Sequence, residues 1–258
     1  LLLEQFSEPI PRNGVRQVIR LAEAAGNFEV TIHLELYPNE PVLRHRAFLK
    51  NRRSQSAWIR NVNLTPWNFA DNSDAFTSFH VNQWVIVPRE ANFEPVETSL
   101  TPEGIPVVLN TGSGGVHCSW LVVRGRDQRG LFAGLEFNGR ATMQAHHLIE
   151  DQILSFSSSI DGLFHEIEPD ETFEIPTAFL GLFQGDWDEA GFRTQRFVEN
   201  VLAAPAPDNQ FPYVAWDSWA YEKDIHEDTL RREAALAAQA GAELFIVDLG
   251  WPKRMGDW

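Results

Sequence analysis

The feature that most constrains the fold is an alternation of apolar and polar residues with a period of two, over about residues 15–176. It is clearest in Phe28–Tyr37, where Phe, Val, Ile, Leu and Leu alternate with Glu, Thr, His, Glu and Tyr. Successive side chains of a β-strand point to opposite faces of its sheet. This alternation therefore predicts a strand that is buried on one face.

Further strand-like runs are separated by turns rich in Gly, Pro, Asn and Asp, and no long helical pattern interrupts them. The predicted strands are residues 42–49, 57–64, 79–87, 106–109, 116–123, 130–137, 162–167 and 172–175. Many short strands that alternate with turns predict a mainly β domain, built as an antiparallel sandwich.

The periodicity changes near Gly185. Apolar residues at close to helical spacing predict a helix over residues 187–202; they are Trp187, Ala190, Phe197, Val198 and Val201. The Ala- and Pro-rich segment 203–209 that follows predicts a linker or loop.

A strand–helix–strand pattern follows this loop. Residues 213–216 predict a short buried strand, and residues 230–240, rich in Ala, Leu, Arg and Glu, predict a helix. Glu227 and Asp228 complement the dipole at the helix start, and Gly241 ends the helix. The apolar run 244–247 is typical of a parallel strand that is covered on both faces. Together they predict one βαβ unit.

A lone βαβ unit leaves a strand edge uncovered, so we expect further strands of the same sheet in the complete protein. The predicted fold class is an antiparallel β-supersandwich followed by a linking helix and the first βαβ unit of an incomplete TIM-type barrel. The predicted domains are residues 1–185 for the sandwich, 186–210 for the linker helix and loop, and 211–258 for the barrel start.

Charge and composition narrow the range of partners. A formal net charge of −15 argues against nucleic acid or an anionic membrane, because both need a basic face. No apolar run approaches the ~20 residues that cross a bilayer.

The apolar start at Leu1 is too short for a signal peptide and lacks an initiating Met, so we expect a processed or truncated end. Cys118 is the only cysteine, which favours a reducing compartment such as the cytoplasm and leaves the localisation open.

Candidate functional residues follow the two strands of the βαβ unit. Asp217 and Trp219 come directly after the first strand, and Asp248 and Trp251 after the second. In parallel barrels, functional groups lie just past the carboxyl end of each strand. Carboxylates accept hydrogen bonds from sugar hydroxyls and indoles stack on sugar rings, so these four residues are the predicted substrate-binding set. In the alternative, the Asp residues cap the following turns and the Trp residues close the barrel end.

The same segments carry a family resemblance. Residues 214–219 read V-A-W-D-S-W, residues 242–251 read A-E-L-F-I-V-D-L-G-W, and residues 256–258 read G-D-W. They resemble the barrel start of glycoside hydrolase family 36, whose usual pattern is N-S-W-E, a helix, L-F-V-L-D-D-G-W, a loop and G-D-W. That family contains retaining α-galactosidases and places a large β-supersandwich before the barrel. Residues 1–185 are similar to that domain in strand pattern, including the run 131–137.

The resemblance implies the N-terminal part of a retaining α-glycosidase that acts on an α-galactoside or a related oligosaccharide. Three positions depart from the family pattern: Asp217 replaces Asn, Ala220 replaces Glu and Leu249 replaces the second Asp. In α-galactosidases that Asp pair hydrogen-bonds the 4- and 6-hydroxyls of the sugar, so Leu249 puts galactose specificity in doubt. The loop 252–255 is also shorter than the usual one.

The resemblance places the catalytic nucleophile and the acid/base, both Asp, on later barrel strands. We therefore expect them beyond Trp258, and we expect the chain alone to be inactive. Two alternatives stay open: a non-catalytic carbohydrate-binding or structural module, and an α-glycosidase that prefers another sugar. We expect no cofactor, and the adjacent His146 and His147 lack a second ligand pair for a metal. A homo-oligomer is left open.

Aromatic residues are abundant, with nine Trp in the chain. Several are interpreted as core or interface aromatics: Phe6, Trp58, Trp67, Trp84 and Trp120. The glycines at 112, 114 and 115 predict a turn before a strand rather than a dinucleotide loop.

Overall fold

A computed structural model describes residues 1–70, 75–83, 93–100, 104–148, 153–204, 214–221, 225–248, 250–252, 254 and 256. The chain divides into two compact units, residues 1–203 and 204–258. Helix α1 (Trp187–Phe197) belongs to the first of them. The domain boundaries drawn from the sequence stay a prediction.

The first unit is built from antiparallel strands. They are β1 (Leu2–Ile10), β2 (Gly14–Ala22), β3 (Phe28–Tyr37), β4 (Glu40–Asn51), β5 (Ala57–Ile59), β6 (Trp67–Ala70), β7 (Phe76–Val81), β8 (Pro95–Leu100), β9 (Val107–Thr111), β10 (Trp120–Gly125), β11 (Arg129–Glu136), β12 (Ala141–Leu148), β13 (Ile153–Ile160), β14 (His165–Ile167) and β15 (Thr172–Gln184). A nine-stranded sheet has the order β1-β2-β3-β4-β15-β11-β10-β7-β8, and a four-stranded sheet the order β6-β13-β12-β9. A two-stranded ribbon pairs β14 with β5. The predicted mainly β, antiparallel sandwich is confirmed.

The predicted strand bounds agree with the structure at β3 and differ from it at several other strands. β3 has the predicted bounds Phe28–Tyr37, but the predicted buried face is wrong: its apolar residues are half-buried or exposed, and the one buried residue is Glu35 on the polar face. The strand predicted over 172–175 is wrong in length, because β15 continues through a register irregularity between Ile175 and Ala178 as far as Gln184. Pro176 lies within that irregularity, and proline cannot donate to a regular ladder. Other predicted strands start late or end early: β5 ends at Ile59, β10 begins at Trp120 and β14 begins at His165.

Two apolar cores lie on opposite faces of the nine-stranded sheet. The first packs against the four-stranded sheet and includes Leu121, Met143 and Phe156, each at most 2% exposed. The second packs against α1 and includes Val122, Phe132 and Phe197, each 0% exposed. β15 contributes to both cores, because Leu180 belongs to the first and Phe179 to the second.

Helix α1 forms directly after β15, as the spacing over 187–202 predicts. The side chain of Asp186 caps its start by accepting a hydrogen bond from the backbone N–H of Glu189 at 3.1 Å. A π-helical turn, Val198–Leu202, continues it. The Arg12 guanidinium, from the tip of the β1–β2 hairpin, donates to the carbonyls of Asn200 and Ala203 and so holds the end of this segment.

Glycine and phenylalanine alternate between β11 and β15 beneath α1. Phe132 stands opposite Gly181, Phe183 opposite Gly130, and Phe179 opposite Gly134. Each ring lies over the neighbouring glycine: a Cβ added to Gly181 would stand 1.9 Å from Cζ of Phe132. Only glycine leaves room for the ring at these positions, so the packing beneath the helix depends on it.

A network of charges continues the same face on β2, β3 and β4. Glu35 is 1% exposed and accepts hydrogen bonds from Arg16 at 2.9 Å and Arg44 at 3.1 Å. The Tyr37 hydroxyl donates a third at 3.0 Å. Burial raises the pKa of Glu35, but these hydrogen bonds and the two guanidinium charges outweigh it, so the pKa lies below its ordinary value of 4.5.

The second unit contains the predicted βαβ pattern. β16 (Ala215–Asp217) leads into a 3-10 turn at Ser218–Tyr221, then helix α2 (Glu227–Gln239) and β17 (Leu244–Ile246). The two strands are parallel, with Trp216 opposite Phe245. That this unit begins a barrel stays a prediction. Among the described residues, no helix has both the length and the apolar character needed to span a membrane.

The aromatic residues predicted to be core or interface divide into two groups. Trp67 and Trp120 pack against the first and second core respectively. Phe6 is 40% exposed and Trp58 49% exposed, so neither is a core residue of this unit. Trp84 lies outside the described residues.

Replacing Gly181 tests the packing beneath α1. Gly181→Ala should lower the free energy of unfolding by about 1–3 kcal/mol, because the added methyl group displaces the Phe132 ring. Gly191→Ala on α1 is the matched control: a Cβ there meets nothing within 4 Å. The control should raise stability by about 0.5–1 kcal/mol through helix propensity. Urea unfolding measures both, and equal effects of the two changes would contradict the packing argument.

Replacing Glu35 tests the buried charge. Glu35→Gln should lower the free energy of unfolding at pH 7 by about 1.5–3 kcal/mol, the range for hydrogen bonds to charged groups. The control Glu174→Gln removes a carboxylate that is 55% exposed, and should cost less than about 1 kcal/mol.

The effect of Glu35→Gln should also depend on pH. Because the folded pKa of Glu35 lies below 4.5, its charge stabilises the fold above that pH. The advantage is lost as the pH falls through the folded value. Urea unfolding from pH 7 to pH 3 should therefore show the difference between the wild type and Glu35→Gln shrinking below pH 4.5. A difference that stays constant to pH 3 would show that the carboxylate charge is not what stabilises this site.

Candidate functional site

The ends of β16 and β17 are joined by a buried serine. Asp217 is the last residue of β16 and stands opposite Ile246 of β17. The next residue, Ser218, is 0% exposed, and its Oγ accepts a hydrogen bond from the backbone N–H of Asp248 at 2.9 Å. The residues that follow β16 and β17 therefore lie close together at the carboxyl end of this strand pair.

Asp217 organises the turn that follows β16. Its Oδ1 accepts a hydrogen bond from the backbone N–H of Trp219 at 2.8 Å. This is the capping role that the sequence left as an alternative to sugar binding. A carboxylate accepts several hydrogen bonds, and Asp217 is exposed, so capping leaves it chemically able to bind a hydroxyl as well.

The two predicted tryptophans are open to solvent in this unit. Trp219 is 63% exposed and Trp251 47% exposed, whereas Asp248 is half-buried. Trp219 is therefore not sealed in the core of its own unit. Convergence of the Trp219, Asp248 and Trp251 side chains on one sugar stays a prediction.

The whole chain matches solved structures in fold. The galactosidase domain of an α-galactosidase–sucrose kinase gives a TM-score of 0.82 at 13% identity over 99% of this chain. The α-galactosidase of Lactobacillus brevis gives 0.79 at 15% identity over 98%, and the family 36 α-galactosidase AgaA of Geobacillus stearothermophilus gives 0.75 at 15% over 100%. The chain has the fold of the N-terminal part of family 36 α-galactosidases.

The resemblance found in the strand-end motif is thus confirmed as a likeness of fold. The chain spans 38%, 34% and 39% of the lengths of these three structures. No protein-family model matches the sequence, and no curated protein sequence matches it.

Two residues that complete this site were not predicted to have roles there. Ser218 lies inside the quoted motif, but its link to Asp248 depends on the parallel register, which sequence reasoning does not supply. Glu233 of α2 is 7% exposed, and a hydrogen bond to it raises the pKa of Tyr221, the last residue of the 3-10 turn. An acidic residue six positions before the end of an Ala-rich helix carries no sequence signal for such a contact.

Some positions that carry the family 36 comparison lie outside the described part of the chain. They include Leu249, Asp257 and Trp258, and the side chain of Ala220. The specificity argument based on Leu249 therefore stays a prediction.

The structure also places the His146–His147 pair and the glycines at 112, 114 and 115, to which the sequence assigned no functional role. His147 on β12 is 3% exposed and His146, its neighbour on the opposite face, is half-buried. Among the described residues, no group of three or more His, Cys, Asp or Glu side chains is arranged to hold a metal. Gly112 and Gly114 have φ of 76° and 80°, and the N–H of Gly115 donates to the carbonyl of Gly112 at 3.0 Å, as in a turn.

Proposed function

We propose that the chain is the N-terminal part of a retaining α-glycosidase of the family 36 type. When its barrel is complete, the protein hydrolyses α-linked terminal sugars from galactosides or related oligosaccharides. The observation that carries this proposal is the likeness of fold over nearly the whole chain, from the sandwich to the parallel strand pair. The Asp and Trp residues after both parallel strands give the fold a chemistry suited to sugars.

Retaining hydrolysis requires two carboxyl groups about 5 Å apart, one as nucleophile and one as acid/base. In this proposal both are Asp residues on later strands, in sequence that follows Trp258. The described strand ends supply substrate positioning. Trp219 stacks on the sugar ring, and the carboxylates of Asp217 and Asp248 accept hydrogen bonds from its hydroxyls.

The exposed apolar residues of the second unit support a continuing barrel. Val214, Trp216, Leu244, Ile246 and Val247 are each between 38% and 59% exposed. Parallel strands are ordinarily covered on both faces, so apolar side chains on such a ribbon are expected to contact further elements. Further strands and helices of a barrel would cover them.

Two of the matched structures also bear on the ligand. AgaA variants from Geobacillus stearothermophilus were crystallised in complex with stachyose and with raffinose. They support an α-linked oligosaccharide as the substrate class. At the position of Leu249, loss of the second carboxylate removes a partner for one hydroxyl, so the preferred sugar need not be galactose.

The proposal predicts that the chain alone and a form extended by its downstream sequence differ in hydrolytic activity. The chain alone should not accelerate hydrolysis of aryl α-galactosides or aryl α-glucosides, because the carboxylate pair is missing from it. The chain extended by the sequence that follows it in its gene should hydrolyse one of these substrates with retention of configuration. Release of the aryl group measures the rate and NMR of the first-formed sugar measures the configuration. An extended protein without activity on either substrate would favour the non-catalytic module.

The strand-end residues should govern specificity in the extended protein. Asp248→Ala should lower kcat/KM roughly ten- to a hundred-fold, since a lost charged hydrogen bond costs about 1.5–3 kcal/mol. Leu249→Asp should shift preference towards galactosides by restoring the second carboxylate. Glu243→Gln, just before β17, is the control and should leave kcat/KM unchanged. If Asp248→Ala reduces stability and leaves the kinetics of the folded fraction intact, Asp248 has a structural role and the sugar site is elsewhere.

A further inference from the structure

Two aromatic rings stack on each other at the surface of the first unit. The rings of Trp58 and Phe164 have centroids 4.2 Å apart and an interplanar angle of 21°. Trp58 is nonetheless 49% exposed and Phe164 60% exposed. The stacked contact uses one face of the indole, so the exposed half of Trp58 lies outside that contact.

The two-stranded ribbon of β5 and β14 carries Trp58, and Phe164 directly precedes β14. In the β5–β14 pair, Trp58 stands opposite Glu166, while the flanking Ala57 and Ile59 point to the other face. Ala57 and Ile59 are 8% and 7% exposed, and Ile167 of β14 is 0% exposed. Apart from the exposed His165 at its end, the inner face of the ribbon is thus buried, which fixes the backbone that carries Trp58.

Polar groups of opposite charge flank the rings. The guanidinium carbon of Arg60 lies 5.2 Å from the centroid of the Phe164 ring. Across the ribbon, the Glu166 carboxylate accepts a hydrogen bond from the Ser56 hydroxyl at 2.5 Å. Arg60 supplies donors and Glu166 supplies acceptors, and their charges cancel. Such a surface suits an uncharged ligand that has both an apolar face and hydroxyl groups.

A hollow of about 410 Å³ lies beside Trp58 and is lined also by Arg60, Asn61 and the inner-face residues Ala57, Ile59 and Ile167, whereas Phe164 and Glu166 do not line it. This volume lies within the roughly 300–1,000 Å³ of small-molecule sites. Asn61 also lines a second hollow of about 210 Å³, whose other residues are Asn63, Thr142, Gln144, Ser157, Ser158 and Ser159. Amide and hydroxyl groups therefore continue from the aromatic surface.

We infer that Trp58, Arg60, Phe164 and Glu166, here called the aromatic platform, form a carbohydrate-binding site of the first unit. A pyranose ring packs its C–H face on the exposed indole of Trp58, and its hydroxyls exchange hydrogen bonds with Arg60, Glu166 and Asn61. The choice of a neutral oligosaccharide as ligand rests on the proposed function. The platform belongs to the first unit and is built from other residues than the strand-end site.

The test is binding of stachyose to the intact chain, followed by the indole N–H signals in NMR titrations. Stachyose should shift the indole signal that Trp58→Ala removes, and Trp58→Ala should weaken binding at least about tenfold, equivalent to 1.4 kcal/mol. Arg60→Gln keeps both rings and should weaken binding several-fold. Because Trp58 and Arg60 are exposed, both variants should fold like the wild type.

Two controls separate this site from others. Phe192→Ala removes another exposed aromatic ring of the first unit, on α1, and should leave stachyose binding unchanged. Trp219→Ala alters the strand-end site and should leave the Trp58 signal shift unchanged. Unaltered binding in Trp58→Ala would overturn the proposal. So would self-association of the chain that Trp58→Ala abolishes without any stachyose shift, since the platform would then be a protein interface.

The outcome is independent of the enzyme assay. If stachyose binds through Trp219 alone, the platform is wrong and the glycosidase proposal stands. If the extended protein lacks activity while Trp58-dependent binding persists, the glycosidase proposal fails and the platform stands as a binding site.

Discussion

The first unit depends on one strand that is buried on both faces. From Thr177 to Gly181, β15 has five consecutive buried residues, two of which enter the core between the sheets and one the core beneath α1. Burying a large apolar side chain contributes about 1.5–3 kcal/mol, so a strand that supplies both cores ties the two layers together. The chain then passes through Gly185, with φ of 140°, directly into α1. Helix and sheets are therefore positioned by the same segment.

On the face of the nine-stranded sheet that packs against α1, charged side chains replace apolar packing on β2, β3 and β4. Arg44 of β4 makes a bidentate contact with Glu136 of β11, at 2.6 and 2.5 Å, across the intervening β15. The same guanidinium donates to the buried Glu35 of β3. The hydrogen bond to Glu136 raises the pKa of Arg44, consistent with a partly desolvated pair that is well satisfied. Three strands are joined by one side chain, which helps to fix the register of the wide sheet.

The bounds of β3 could be predicted because its apolar and polar residues alternate without interruption. β3 was predicted with its observed bounds, although its apolar face is only partly buried and its one buried residue is Glu35, on the polar face. β15 was predicted too short, because burial on both faces erases alternation and Pro176 imitates a strand end. At the strand ends, residue type selected Asp217 and Trp219 as candidates, and their role in sugar binding stays a prediction. The Ser218–Asp248 hydrogen bond could not be predicted, since it depends on which residues the parallel pairing brings together.

Trp58 was interpreted as a core or interface residue, and its exposure could not be predicted from the sequence either. An aromatic residue between Ala57 and Ile59 in an alternating run must face away from whichever layer buries its neighbours. The sequence does not say whether another layer covers that second face. Here it is open, and the buried inner face holds the ring before any ligand arrives, which reduces the entropy cost of binding. Trp219 differs: its turn is capped by the Asp217 carboxylate that is also proposed to bind the sugar. At the strand ends, positioning and recognition therefore share one residue, whereas in the platform the ribbon core does the positioning and leaves the polar side chains available for recognition.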